Sequence, residues 1–320
     1  MRKRKVNIII LNYNGKFLLE KYLPSVVVAS EKSSHECRVS VIDNKSTDGS
    51  AAFIKQNFKD VILYEAEENR VLCSYNEYLR TIDDEIVIFL NTDIQVDAYF
   101  VDPLVGHFND EDVLFVSPKE LSMNGQYQGN LNKARFRFGT LSVKVEKEDH
   151  NRLQYDISVH GGAFNREKFL FLGGYDDMYL PGIVEDFDLC YRGWKYGWKG
   201  IYEPVSFYYH EGSTSFNAKY GERGKSLLAY RNTFLFLWKN ITSERLIFNH
   251  VVFTPVLLFT AFLRLRWLVI KGFFQALRML PTALKRRVAV TSQFRISDEE
   301  LIRRASLPFQ SITEPPQTSI

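Results

Sequence analysis

Cysteine is scarce in this chain: Cys37, Cys73 and Cys190 are odd in number and far apart. That spacing excludes a disulfide framework and a zinc site, and it fits a reducing compartment. Charge of one sign is also lacking. The formal net charge is only +3, so the chain as a whole is not a nucleic-acid binder. Neither G-x-G-x-x-G after the first apolar run nor G-x-x-x-x-G-K-[ST] occurs, so the usual glycine-rich phosphate cradles are missing. Any nucleotide the chain binds must be held another way. A secretory leader is not evident either. Met1 to Lys5 has the charge of a signal-peptide start, but the apolar run after it stops at Asn12, too short for the hydrophobic region of a leader. The main body of the chain therefore reads as cytosolic. No uninterrupted apolar stretch reaches the ~20 residues a membrane span needs, and the cleanest run is Val251 to Leu263.

What is present is a foldable α/β pattern. Hydrophobic residues make up 45% of the 320 and charged residues 25%, enough for a sizeable core and against global disorder. Val6 to Leu11 reads as a strand closed by Asn12-Tyr13-Asn14-Gly15, and helical spacing follows through Phe17, Leu18, Tyr22, Leu23 and Val26. Arg38 to Asn44 is a second strand ending in a carboxylate. Ser46 to Ser50 then forms a turn and cap before a helix near Ala51 to Phe58. Val61 to Tyr64 is a third strand, Val71 to Leu79 a helix, and Tyr155 to His160 a later strand. The run Glu85 to Leu90 has the composition of a strand buried on both faces and ends in Asn91-Thr92-Asp93. Strands alternating with helices predict a mostly parallel, right-handed sheet. Asn12, Asp43 and Asp93 then fall at one edge, where open α/β folds bind ligands. A carboxylate there, beside an amide and a hydroxyl, suits a hard divalent cation carrying substrate phosphates. The alternative is that Asn91 and Asp93 only cap a turn.

These segments together resemble family-2 glycosyltransferases with the A-type fold. The similarity runs through Ile9 to Asn14, Val41 to Ser50, Phe89 to Asp93, His160 to Phe164, Gly173 to Asp176, Glu185 to Arg192 and His210 to Ser213. Each piece is weak alone; all of them in order are specific. The subgroup it is most similar to is the rhamnosyltransferase-like enzymes of bacterial surface-polysaccharide assembly. The resemblance implies an inverting transfer of sugar from a nucleoside diphosphate sugar, uridine or thymidine type, to a saccharide hydroxyl.

The resemblance also implies site residues. Asp93, the remaining acid of the family's D-x-D motif with Asn91 in the first position, would hold Mg²⁺ or Mn²⁺. Asp186 would be the general base, with Glu185 as neighbour or substitute; the alternative is that both are first-turn acids favoured by the helix dipole. Asn12, Asn14, Asp43, Asp48, Asn69 and Asn91 would belong to the nucleotide-sugar pocket, and Asp48 alternatively to a helix start. Gly161 and Gly162 would let backbone approach sugar or phosphate. His160 reads as structural. His210 would be a second metal or diphosphate contact, or a turn histidine. Asp188, out of helical phase with Asp186, reads as structural. Arg70 stands where the family carries glycine, and either reaches a phosphate or is a solvated charge.

After Asn240 the character changes. Residues 1–240 read as the catalytic domain, 241–306 as an apolar and basic helical appendage, and 307–320 as an unstructured tail. Basic residues recurring among large apolar ones fit helices lying in the headgroup region, with a true span or a buried helical lid as alternatives. Attachment to an anionic membrane, at the cytoplasmic face of the cell membrane, implies a polyprenyl-diphosphate-linked acceptor. Two rivals stand beside this reading. A sugar-1-phosphate nucleotidyltransferase would need a Gly-rich, Arg-bearing loop after the first strand. A non-catalytic membrane scaffold would draw support from Asn91 and Arg70.

Overall fold

The computed structural model describes residues 2–212 and 215–309. The chain alternates as the hydrophobic periods predict. In order come β1 (Lys5–Asn12), α1 (Lys16–Lys32), β2 (Glu36–Asp43), α2 (Ser50–Asn57), β3 (Ile62–Glu65), α3 (Ser74–Tyr78), β4 (Ile86–Asn91), β5 (Ile94–Val96) and α4 (Val101–Gly106). Then follow β6 (Val113–Ser122), β7 (Tyr127–Gly129), β8 (Asn132–Arg137), β9 (Thr140–Val145), β10 (Gln154–Asp156), β11 (Gly162–Asn165), α5 (Arg166–Phe171), α6 (Glu185–Tyr196) and β12 (Lys199–His210). The C-terminal third is helical: α7 (Ser215–Asn240, broken at Gly221), α8 (Glu244–Leu263), α9 (Trp267–Arg278), α10 (Leu280–Thr291) and α11 (Asp298–Ala305).

The main sheet has the order β10-β12-β6-β11-β4-β1-β2-β3. β4, β1, β2 and β3 run parallel, whereas β11 is inserted antiparallel between β4 and β6. Period-two alternation divides β1 and β4 between two layers of core. Ile8, Ile10, Ile86 and Ile88 pack under α1, α2 and α4, while Ile9, Val87 and Phe89 face α3, α6 and the C-terminal helices. Register then sets the site. Asn12 lies opposite Asp43 and Leu11 opposite Asn91, so the ends of β1, β2 and β4 share one edge.

The strand expected over Tyr155 to His160 is shorter. It ends at Asp156, whose carboxylate accepts the backbone N–H of Asn132 (2.9 Å), while Asn132 Nδ2 donates to the Ser158 carbonyl (2.9 Å). Those buried bonds turn the chain out of β10 and carry it to β11. The helix expected from Val71 begins as a single 3₁₀ turn over Val71–Cys73 before α3.

The segment after Asn240 packs on the sheet domain. Asp298, fully buried at the start of α11, accepts from Lys195 Nζ (2.9 Å), Tyr191 Oη (2.6 Å) and the N–H groups of Thr242 (2.8 Å) and Ser243 (2.6 Å). Leu246, Ala276, Ala283, Leu301 and Ala305 join the same apolar core as Tyr191 and Phe236. Of the expected tail, Pro308 bridges Gln154 and Phe309 packs at a tilt against Tyr155 (ring centroids 5.2 Å apart), while 310–320 lie outside the described residues.

Candidate active site

A cleft of about 580 Å³ opens at the carboxyl edge of the parallel strands. Its walls include Leu11, Tyr13, Asn44, Asn69, Asn91, Thr92, Asp93, His160, Glu185, Asp186, Tyr220 and Lys225. The acids of β4 and of α6 thus meet across one space. Another cavity, of about 560 Å³ and lined by Lys133, Arg135, Arg137 and His150, contains none of them.

Asp93 follows the end of β4 and is nearly buried. His210, at the end of β12, brings Nε2 to 3.2 Å from Asp93 Oδ2 without hydrogen-bond alignment, so this buried nitrogen has no hydrogen-bond partner. Its other nitrogen, Nδ1, meets Glu120 Oε1 at 2.7 Å. Burial alone would lower His210, but the flanking carboxylates of Asp93 and Glu120 outweigh it and hold the imidazole up at about 10. Once the imidazole gives up its proton, a carboxylate beside an imidazole oriented by a second carboxylate is a donor set suited to a divalent cation. Among the described residues no group of three or more His, Cys, Asp or Glu is arranged to hold a metal. The pair would therefore supply part of a coordination sphere, leaving positions for phosphate oxygens and water.

Glu185 and Asp186 open α6 after a loop with unusual backbone. Ile183 (φ 74°) and Val184 (φ 88°) are both left-handed, a costly conformation for β-branched residues. Asn232 of α7 holds that loop: its Nδ2 donates to the carbonyls of Tyr179 (2.9 Å), Gly182 (2.8 Å) and Ile183 (2.7 Å). The two acids differ in environment. Burial, reinforced by Asp186, pushes Glu185 up to about 8, and its Oε2 has no partner. Burial would raise Asp186 too, but His160, in ion-pair contact through Nδ1, outweighs it and leaves Asp186 below the usual carboxylate range. The same contact raises His160, although its ring is 61% exposed and solvent tempers the effect. His160 thus faces the cleft as the partner of Asp186, which a lone histidine in the sequence does not reveal.

The expected nucleotide residues divide. Asn69 and Asn91 line the cleft. Asn12, Asn14, Asp43 and Asp48 are not among the residues that line it; they bond within the loops at the ends of β1 and β2. Asn12 Nδ2 donates to Asp43 Oδ1 (2.8 Å), Asp43 Oδ2 accepts from Ser46 N (3.0 Å), and Asn14 Oδ1 accepts from Thr47 N (2.7 Å). Asp48 accepts from Lys16 N (2.8 Å) at the start of α1 and from Ser50 N (3.0 Å) at the start of α2, which is its expected alternative as a helix-start residue. Gly161 borders a small side pocket with Asn91, His160 and Asp186. Gly162 lies within β11, where an added Cβ would fall 2.5 Å from the Val116 carbonyl, so glycine there serves sheet packing. Arg70 follows neither expectation. It bonds Glu77 (3.1 Å) and Asp177 (2.9 Å), and the left-handed residue is its neighbour Val71 (φ 52°). Asp188 is buried against Arg192 (2.8 Å), Lys239 (2.9 Å), Tyr179 (2.8 Å) and Asn240 (2.7 Å). Tyr220, Lys225 and Glu120 carry no motif and were not legible before the fold placed them.

The model of the family described as Glycosyl transferase family 2 matches residues 7–168, about half of the chain. The protein is a family-2 glycosyltransferase. The matched span runs from β1 to α5 and includes Asp93 and His160, while α6 and β12 lie beyond it. Pre-mycofactocin glycosyltransferase of Mycobacterium tuberculosis is 26% identical over 188 residues, covering 55% of this chain and 38% of its own length. The chain thus spans well under half of that curated relative. Among solved structures, GalNAc-T7 with UDP, GalNAc and Mn²⁺ superposes with a TM-score of 0.57 at 16% identity, over 74% of this chain and 48% of that one. Mannosyltransferase PcManGT from Pyrobaculum calidifontis, in complex with GDP-Man and Mn²⁺, gives 0.52 at 17% identity over 95% and 86%. At these identities the likeness carries the fold, and the A-type glycosyltransferase fold expected from the sequence is the one observed. The family member has its sheet edge, its polar strand tips and its α6 acids on one cleft.

Proposed function

We propose that this glycosyltransferase moves a sugar from a nucleoside diphosphate sugar, uridine or thymidine type, to a hydroxyl of a saccharide acceptor with inversion. The observation that carries the reading is the convergence of Asp93 and Asp186 on one cleft, the second kept ionised by His160. Asp186 accepts the proton of the acceptor hydroxyl as its oxygen forms the new bond to the anomeric carbon. The bond from that carbon to the diphosphate oxygen breaks on the opposite face, and the nucleoside diphosphate departs with the electron pair. Glu185, protonated and with a free oxygen, is placed to donate a hydrogen bond to sugar or acceptor. Asp93 and His210 would hold Mg²⁺ or Mn²⁺, which when bound neutralises charge on the diphosphate. Lys225, on the same wall, adds a positive charge.

The acceptor is proposed to be lipid-linked and the protein to work at an anionic membrane surface. What supports this is the apolar face of α8, a helix long and apolar enough by length and composition to cross a membrane. One side of it is occupied by the protein: Leu246 and Ala261 are buried, and His250 bonds Gly139 O (2.7 Å) and Trp238 Nε1 (3.0 Å). A helix so engaged fits lying in the headgroup region better than crossing among lipid tails. The test is turnover of uridine- and thymidine-diphosphate sugars by purified protein with Mn²⁺, compared with Asp93→Ala and Asp186→Ala. Both substitutions should abolish transfer. Activity unchanged in both, or absent from the wild type with every donor, would overturn the reading in favour of a scaffold.

A further inference from the structure

The β8–β9 hairpin ends in Phe138 and Gly139, both with positive φ (49° and 71°), the geometry of a two-residue hairpin turn that favours Asn-Gly. A phenylalanine at the first of these positions is conformationally unfavourable, and its ring is nonetheless 73% exposed. The tip is fixed against α8. His250 Nδ1 donates to the Gly139 carbonyl (2.7 Å), Phe138 meets Phe253 edge-on (5.9 Å), and a Cβ on Gly139 would lie 2.9 Å from the Asn249 carbonyl. The outer side of α8 carries Phe248, Val251, Val252, Val256, Phe259 and Phe262, all exposed at helical spacing along one stripe. An apolar strip of that length is not a feature of an ordinary water-facing helix.

Charge identifies what covers it. Between Arg245 and Ser297 the sequence has nine Lys and Arg and no Asp or Glu; Arg286 is paired with Asp176 and Asp177 and Arg287 turns to backbone carbonyls, while Arg264, Arg266, Lys271, Arg278 and Lys285 form no ion pair among the described residues. A second copy of the chain would bring these like charges together, whereas anionic lipid headgroups neutralise them beside an apolar phase. Arg135 and Arg137 extend the basic border onto the hairpin itself.

We propose that the β8–β9 hairpin and the outer stripe of α8 form one lipid-facing surface, with Phe138 entering the headgroup layer of an anionic bilayer beside α8. This rests on the membrane-surface part of the proposed function and makes the sheet domain, as well as its helical extension, a direct party to the attachment. The full-length protein is sedimented with vesicles of phosphatidylcholine, and with an equal mixture of phosphatidylcholine and phosphatidylglycerol. Wild type should bind the mixed vesicles, and more weakly at high salt. Phe138→Ser should weaken binding about tenfold, and Phe138→Trp should restore it. Phe171→Ser, at an exposed aromatic on α5, should have no effect. Circular dichroism and the melting temperature show that each variant is folded. Folded Phe138→Ser that binds like wild type overturns the role of the hairpin and leaves the membrane reading standing. Wild type that binds neither vesicle overturns both. A wild-type dimer dissociated by Phe138→Ser assigns the face to a second copy and overturns the proposal.

Discussion

Glu185 and Asp186 are adjacent in the chain and opposite in proton affinity. Desolvation raises both, and His160 opposes it in both, but only Asp186 is in direct contact with that cation. At neutral pH the pair presents one carboxylate and one carboxylic acid, the division expected where one group must take a proton and its neighbour must donate a hydrogen bond. Asp186→Asn should lower transfer by about 10²–10⁴-fold with donor affinity retained, as read from initial rates and direct donor binding. His160→Gln removes the positive charge that holds Asp186 down, so the pKa of Asp186 rises. The proposed base is then protonated at higher pH, and the acid limb of the kcat profile moves upward. A profile that falls in height without moving would show that His160 only supports the loop. Asp93 was legible in the sequence because it closes a recognisable apolar run, and Asp186 because Glu185 to Arg192 resembles the family's acidic segment. The His160–Asp186 pair was not, since its partners approach only when β11 and α6 come together.

At the scale of elements, the acids depend on how the loop before α6 is held. Left-handed Ile183 and Val184 cost on the order of 1–3 kcal/mol each. Asn232, with one amide bonded to three carbonyls, offsets that cost. Asn232→Ala should lower stability by about 1–3 kcal/mol in denaturant unfolding and lower kcat well beyond that of a surface control, because Glu185 and Asp186 lose their anchor. Wild-type kcat in this variant would show that the loop keeps its shape unaided. Two residues further along α6, Asp188 lies between Arg192 and Lys239, and those cations carry its pKa far below the ordinary carboxylate value despite burial. A carboxylate with a depressed folded pKa stabilises in full above its unfolded pKa of about 3.9, and that contribution is lost as pH falls toward the folded value. Unfolding free energy should therefore drop on acidification below about pH 4 in wild type, and less steeply in Asp188→Asn if that variant folds. The strand ends of β1, β2 and β4 were readable because an alternating or continuous apolar run stops abruptly at a polar residue. The early end of β10 and the ion pairs of Arg70 were not, because both are set by partners brought in from distant segments, Asn132 in one case and Asp177 in the other.

At the scale of the whole molecule, the composition change after Asn240 invites a cut between a catalytic domain and an appendage, but the physical contacts cross it. Lys195, fully buried on α6, has Asp298 of α11 as its counter-charge, and Asp298 also takes the N–H groups of Thr242 and Ser243. Arg286 of α10 reaches Asp176 and Asp177 (2.5 Å to the latter), beside the Lys239–Asp188 pair. Removing the helices leaves Lys195 without its counter-charge and exposes Tyr191 and Phe236, which now share a core with Leu246 and Leu301. Breaking a buried pair from one side typically costs 3–5 kcal/mol, a large fraction of the stability of an ordinary domain. Asp298→Ala should therefore lower the unfolding free energy by about that amount, with both halves still melting in one transition. A chain ending at residue 240 should be insoluble or lack a cooperative melt. If that shortened chain instead unfolds cooperatively near the wild-type temperature, the helices are a separable anchor, and the buried Lys195–Asp298 pair joins two independent bodies.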